Sequence, residues 1–323
     1  MPSWLGGSPA TAAVMLGILF VYAAGVVVSG GHVLALSGYT LRYWGATNGY
    51  LITSGEWWRV VSSNFVHHDL LHLGFNGMAL VQAARFVEHY FGGARLLFMF
   101  VFTGIFGMTA SHLYYTFVAH SPGVTSAGAS AAVCGLIGVA LVAGHRDGTE
   151  FGRSVRGHMI RWIVMLAVMG LAAGFVNNAA HGGGFVGGLA LGAVWPTLPR
   201  RAKAAYGLAA ASLLLVVGSF VAALSVAESP PSHYPEAPRF FFGKLVDGRP
   251  DYLNSPEGWD LAERCEAATQ NPQDDSALSA CRELVYLEPR LTPAWWQLVA
   301  VYTARGERER AERAERAANL KED

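Results

Sequence analysis

Apolar residues run almost unbroken for about 20 positions at a time through the first two thirds of the chain, with neither the alternation of a strand nor the single stripe of a surface helix. A helix rises 1.5 Å per residue and a bilayer core is about 30 Å thick, so such runs predict transmembrane helices. Seven are expected, near Ala10 to Gly30, Leu70 to Val87, Arg95 to Phe117, Ala127 to Gly144, Met159 to Val176, Asn178 to Pro196 and Ala204 to Val226. The second and sixth carry His, Asn and Gln, which weakens their hydropathy signal. No Lys or Arg precedes the first, and it is longer than a secretory signal core, so it is expected to stay attached.

Beyond Val226 the pattern changes. Pro230, Pro231, Pro235 and Pro238 predict an extended linker, followed by an irregular stretch to Pro256 and then by charged amphipathic helices. The expected fold class is all-α: a polytopic membrane bundle of seven transmembrane helices plus a small soluble α-helical repeat tail. Its divisions are a six-span core at 1–200, a seventh transmembrane helix at 201–228, a linker at 229–255 and the tail at 256–323.

Charge sharpens this division. Of the 46 Asp, Glu, Lys and Arg residues, 17 fall in residues 1–235 and 29 in residues 236–323, although the net charge is zero. About 7% charged residues in the first part is far below the quarter typical of a soluble domain, which excludes an ordinary globule. Short cytoplasmic loops are enriched in Lys and Arg. With the amino terminus inside, the inner loops hold nine basic residues (Arg85, Arg95, Arg146, Arg153, Arg156, Arg161, Arg200, Arg201 and Lys203), and the outer segments hold only Arg42 and Arg59. Seven crossings then put the tail outside. The Gly and Ala content suggests a multi-pass protein of a bacterial plasma membrane.

In this topology the second, fourth and sixth spans all run from outside to inside, so their first turns lie at one depth. They carry His67, His68, His72 and Asn76, then Gly128-Ala129-Ser130, then Asn177, Asn178 and His181. Polar groups in hydrocarbon are expensive and usually line a shared cavity. Ser130 can supply a nucleophile and His181 its base, while His72 and Asn76, at i and i+4, share a helix face and can aim donors at an oxyanion. The Ser130 amide can add a backbone donor. Before the tail the Asp residues are Asp69 and Asp147, neither near His181 in sequence, so a Ser–His dyad rather than a triad is expected. Gly184, Gly188 and Gly192 form a stripe facing Gly128, Gly135 and Gly138, which lets two backbones touch and can bring Ser130 within reach of His181.

Together these residues resemble the rhomboid family of intramembrane serine proteases over about Glu56 to Gly192. Trp58-Arg59 followed by His67, His72 and Asn76 is similar to the family's Trp-Arg segment and His-xxxx-His-xxx-Asn helix. Glu88 with Gly92 resembles the end of that helix, Gly128-Ala129-Ser130 the Gly-x-Ser motif, and Ala180-His181-x-x-Gly184-xxx-Gly188 the base helix. The resemblance implies Ser130 as nucleophile, His181 as general base and acid, His72 and Asn76 as oxyanion donors, and Gly128, Ala129 and Ala131 beside the substrate. It also implies a six-helix core with one added span, a first loop at Val33 to Trp58 partly in the outer leaflet, and membrane-spanning protein segments as substrates. Two positions depart from the family pattern: Ala131 stands where Gly usually follows the nucleophile, and Cys134 where the base usually packs on an aromatic. The Ala131 methyl is expected to crowd the neighbouring helix or the acyl site.

Two other readings are open. His68-Asp69-Leu70-Leu71-His72 imitates the His-Glu-x-x-His zinc motif, with Asp147 as a third ligand, which would make a membrane metalloprotease using His68 and His72. Alternatively the chain is a non-catalytic rhomboid-like scaffold that binds membrane helices. His67, Arg59 and Glu88 are expected to be structural anchors. In the tail, Trp295, Leu298, Tyr302, Gly306, Ala311 and Ala318 follow a tetratricopeptide-like spacing, with a partial unit from Leu261 to Pro289. Fewer than three repeats stack poorly alone, so the tail is expected to dock on the membrane domain, on itself or on a protein partner. Cys265 and Cys281 face each other if a hairpin turns near Asn271 to Asp274, and outside the membrane they can form a disulfide. No basic stripe for nucleic acid stands out, and no cofactor is expected.

Overall fold

A computed structural model describes residues 7–29, 33–36, 38–172, 176–195, 203–226, 240–241, 244–245, 256–288 and 291–320. Most of the expected linker and irregular stretch at 229–255 lies outside these residues. The membrane part contains α1 (Pro9–Val28), α5 (Leu70–Phe91), α6 (Gly93–Leu113, continued by a π-helical turn at Tyr114–Val118), α7 (Ser130–Asp147), α8 (Glu150–Ala172), α9 (Asn178–Val194) and α10 (Lys203–Val226). Each of the seven apolar runs corresponds to one of these helices. Between α1 and α5 the chain forms three short helices, α2 (Gly38–Tyr43), α3 (Gly49–Thr53) and α4 (Arg59–Ser62). A minimal hairpin of β1 (Phe240–Phe241) and β2 (Lys244–Leu245) precedes the tail helices α11 (Pro256–Gln270), α12 (Asp275–Leu287), α13 (Thr292–Ala304) and α14 (Arg308–Ala318). The fold class is all-α.

Among the described residues four helices are long and apolar enough by themselves to cross a membrane: α1, α6 with its π turn, α8 and α10. The other three, α5, α7 and α9, are those that carry the candidate chemistry. Polar side chains on α5 and a length of only 17 residues for α9 lower their individual signals. Packing makes up the difference, because α7 is buried along nearly its whole length, from Ala131 through Ala140. Helix α8 starts nine residues before the expected Met159, because Glu150, Arg153 and Arg156 break the apolar run ahead of Met159 without interrupting the helix.

The helices are tied at their ends. Asp69 caps α5 by accepting the His72 amide at 2.7 Å. At the far end of α5, Glu88 accepts the amides of Ala10 and Thr11 at 3.0 and 2.9 Å and the Thr11 hydroxyl at 2.7 Å. That carboxylate satisfies orphan donors at the start of α1 and fixes α1 against α5. Arg59, fully buried, donates to the carbonyls of Arg42 and Ala46 at 2.7 and 2.9 Å, which closes the first loop around it. Both residues are the anchors that the sequence suggests.

In the tail, α11 pairs with α12 and α13 with α14, the second pair turning at Gly306 with φ of +74°. Trp295, Leu298, Tyr302, Ala311 and Ala318 are buried in it. A disulfide joins Cys265 to Cys281 across the first pair, whose turn is closed by Asp274 accepting the amides of Ser276 and Ala277. The tail packs on the first loop: Tyr50 stacks on Trp295, with ring centroids 6.3 Å apart.

Candidate active site

Ser130 is the first residue of α7, and the loop before it is shaped by close approach to α5. Gly128 has φ of +128°, where a side chain is strained. A Cβ there would lie 2.6 Å from His72 Cε1, 2.8 Å from His72 Nε2 and 3.4 Å from Asn76 Nδ2. Only glycine therefore lets the backbone ahead of Ser130 lie against the face of α5 that bears His72 and Asn76.

Two bonds hold this loop. The Gly128 amide donates to the Ser63 carbonyl at 2.9 Å, and the Ala129 amide donates to His67 Nε2 at 3.3 Å. His67 Nδ1 faces the Phe65 carbonyl at 3.2 Å. The two contacts fit one tautomer, with the proton on Nδ1 and Nε2 accepting. His67 thus anchors the loop that precedes Ser130.

Helix α9 brings His181. Its N-cap is Asn177, whose Oδ1 accepts the Ala180 amide at 2.9 Å and whose Nδ2 donates to Ser111 Oγ at 2.6 Å and Ser126 Oγ at 2.8 Å. This one amide therefore ties the start of α9 both to α6 and to the loop leading into Ser130. Sequence reading placed Asn177 in the polar layer but missed this role; the available signal was an Asn at a helix start, three residues before the amide it caps. Ser63, Ser111 and Ser126 gave no signal, because single serines in apolar segments are usually bonded locally.

Glycines set the spacing of α7, α9 and α6. A Cβ on Gly184 would stand 2.1 Å from the Ala131 carbonyl oxygen, and one on Gly188 2.0 Å from that of Gly135. The expected stripe is thus a direct backbone contact between α7 and α9. On the other side, Gly107 of α6 receives the Ala131 methyl: a Cβ on Gly107 would meet that methyl at 2.8 Å. The methyl that was expected to crowd a neighbouring helix is thus met by a residue with no side chain. Cys134 of α7 is a free thiol and fully buried.

Ser130 and His181 are each half-buried and reachable from outside the protein. His181 lies within electrostatic range of His72. Among the described residues no hydrogen bond joins Ser130 to His181. The shared layer is nonetheless crowded with polar groups: the rings of His67 and His72 are 5.2 Å apart, and those of His68 and His72 5.7 Å. Asn76 is buried, and its Nδ2 has no hydrogen-bond partner among the described residues. A buried, unsatisfied donor costs free energy and calls for an explanation, such as a charge that visits only during reaction. The first amides of α7, including that of Ser130, likewise lack a carbonyl one turn back within the helix.

The zinc constellation is not brought together. Asp147 sits at the carboxy end of α7 and accepts a bond from Tyr90 at 2.9 Å, near the far end of α5. His72 and Tyr90 are 18 residues apart on that helix, a separation of about 27 Å at 1.5 Å per residue. Asp69 is engaged as the α5 cap.

Comparison with known proteins bears on this arrangement. The Rhomboid domain family matches residues 54–197. The chain is 31% identical to "Rhomboid protease GluP" of Bacillus subtilis, over 61% of its own length and 37% of that protein. It is 34% identical to "RHOMBOID-like protein 5" of Arabidopsis thaliana, over 48% of its own length and 49% of the relative. It is also 29% identical to "Inactive RHOMBOID-like protein 8" of the same plant, over 47% of its length and 42% of the relative. The chain thus spans less than half the length of each of these relatives. The matched region contains Ser130, His181, His72 and Asn76 together with the anchors Arg59, His67 and Glu88. Residues 54–197 match a rhomboid domain, set in a multi-pass membrane protein.

Proposed function

We propose that the protein is an intramembrane serine endopeptidase that cleaves transmembrane segments of single-span or multi-span membrane proteins within the lipid bilayer. Ser130 Oγ attacks the scissile carbonyl carbon and gives its proton to His181. The oxyanion that forms is met by Asn76 Nδ2, by His72 and by the opening amides of α7. Collapse of this intermediate breaks the C–N bond, with the proton passing from His181 to the leaving amine. Water, deprotonated by His181, then attacks the acyl carbon; the C–Oγ bond breaks and His181 returns the proton to Ser130 Oγ. Gly128, Ala129 and Ala131 form the wall against which the substrate strand lies.

The observation that carries this reading is the buried Asn76 Nδ2, without a hydrogen-bond partner among the described residues and beside Gly128, two residues before Ser130. It is a donor with nothing to donate to until negative charge develops. The experiment is cleavage of a single-span test substrate in liposomes: Ser130→Ala is expected to abolish it, while a zinc chelator leaves it intact.

The non-catalytic scaffold is the second reading. It is favoured by the lack of a bond between Ser130 and His181 and by the kinship to a relative named as inactive. Catalytic hydrogen bonds are often long before substrate binds and tighten in the complex, which is why the protease reading is preferred. Binding of the test helix with no cleavage by the wild type would establish the scaffold instead.

The amino terminus is assigned to the cytoplasm and the tail to the outside of a bacterial inner membrane. The Cys265–Cys281 disulfide supports the outer placement, since such bonds persist in oxidising compartments.

A further inference from the structure

Tyr286 of α12 reaches back 227 residues in sequence to the first loop. Arg59 Nη2 donates to the Tyr286 hydroxyl at 2.7 Å, and that hydroxyl donates to Glu56 Oε2 at 2.5 Å. The same carboxylate oxygen pairs with Arg59 through Nε at 2.8 Å and Nη2 at 2.7 Å. Arg59 is fully buried and Tyr286 only 6% exposed. Burial pushes against the Arg59 charge, but Glu56 and Tyr286 more than offset it and hold the guanidinium above its ordinary value. Burial, aided by Glu56, holds the Tyr286 phenol well above its ordinary value, so it stays a neutral donor. Alongside this trio, Tyr50 stacks on Trp295, and Gly55 lies so close to Arg313 that a Cβ would meet its Nη1 at 2.5 Å.

The other nitrogen of the same guanidinium leads to the site. Nη1 holds the carbonyls of Arg42 and Ala46. The next residue, Thr47, exchanges backbone bonds with Ser126 at 2.8 and 2.9 Å. The Ser126 hydroxyl is gripped by Asn177, the cap of the helix that carries His181. Ser126 lies four residues before Ser130, and Asn177 four before His181. A second route is shorter: Ser63, the C-cap of α4, accepts the Gly128 amide.

We propose that Tyr286 is a positioning residue: by completing the hydrogen bonding of the Arg59 guanidinium it makes docking of the tail a condition for the geometry of the loops that present Ser130 and His181. The tail is then part of the scaffold of the site rather than an independent appendage. The effect on rate rests on the Ser–His reading above; the mechanical link does not.

The test is Tyr286→Phe in the full-length protein, which removes one oxygen and keeps the buried ring. Arg305→Ala is the control. Arg305 bonds to Asp275 at 2.8 Å and to the Pro272 carbonyl within the tail, so its loss loosens the tail without touching Arg59. Amide hydrogen exchange is followed at 42–49 and 122–130, together with kcat and KM for a single-span substrate. The expected result for Tyr286→Phe is exchange about tenfold faster in both segments, with kcat down about fivefold or more and KM within about twofold; Arg305→Ala moves neither. Unchanged exchange in the two segments overturns the link, whatever the activity. Faster exchange with unchanged kcat overturns the positioning role, and so does an equal effect of Arg305→Ala, which would indicate general loosening of the tail. If the wild type cleaves nothing while exchange rises as expected, the protease reading fails and the mechanical link stands.

Discussion

Gly184 of α9 lies against Ala131 of α7 so closely that a side-chain carbon on the glycine would stand 2.1 Å from the Ala131 carbonyl oxygen. Ala131 follows the candidate nucleophile and Gly184 lies one turn past the candidate base, so the distance between the two reacting groups is set by backbone contact. Without a hydrophobic driving force between helices in lipid, such close packing is a main source of association. Replacing Gly184 with Val is expected to force the helices apart, costing on the order of 3 kcal/mol and abolishing activity. Gly182, two residues away, has nothing within 4 Å of its Cβ position. Gly182→Ala is expected to leave thermal unfolding in detergent unchanged within about 0.5 kcal/mol, so comparing the two melting curves checks the contact.

Asn76→Ala removes a donor that has no partner among the described residues. Its loss is expected to lower kcat by about 100- to 1,000-fold, the usual effect of deleting one oxyanion donor, with no loss of thermal stability. A stability loss equal to that of a core deletion would instead mark Asn76 as a structural residue. Rates and melting curves measured on one preparation separate the two.

Glu88 is the only acidic group between Asp69 and Asp147, and it is used up in holding the start of α1. Glu88→Ala leaves two amides and a hydroxyl without their acceptor and is expected to cost about 1 to 3 kcal/mol. Faster proteolysis near Ala10 at constant catalytic efficiency is the corresponding readout.

Reduction of the Cys265–Cys281 bond reopens a loop of 16 residues. The chain-entropy estimate for a loop of that size is about 3 kcal/mol. Cys265→Ser is expected to lower the unfolding temperature of the tail. In intact cells an impermeant maleimide is expected to label the protein only after reductant, because the remaining thiol, Cys134, is buried. Labelling that needs permeabilised cells would put the tail on the cytoplasmic side and reverse the proposed orientation.

The seven helices were legible because bilayer thickness turns hydrophobicity into a length requirement, and each apolar run found its helix. The start of α8 was not, because Arg153 and Arg156 conceal a helix from a hydropathy reading while leaving its backbone undisturbed. The residues of the site were visible as a polar layer on three spans, since ionisable groups in hydrocarbon stand out. The supports of that layer were hidden. Ser126, Ser111 and Asn177 work through bonds between segments 15 to 66 residues apart, and no local pattern encodes such a partner. The Tyr286 contact is the extreme case. A tyrosine on an amphipathic helix reads as ordinary core, and its engagement with Arg59 appears only once the tail is folded onto the first loop.

The most direct measurement is the site and rate of covalent modification by a fluorophosphonate, mapped by mass spectrometry on the detergent-solubilised protein. The adduct is expected on Ser130, forming at least about 1,000-fold more slowly in His181→Ala. No adduct at Ser130 in the wild type, or one that forms equally fast without the imidazole, would contradict a serine activated by His181.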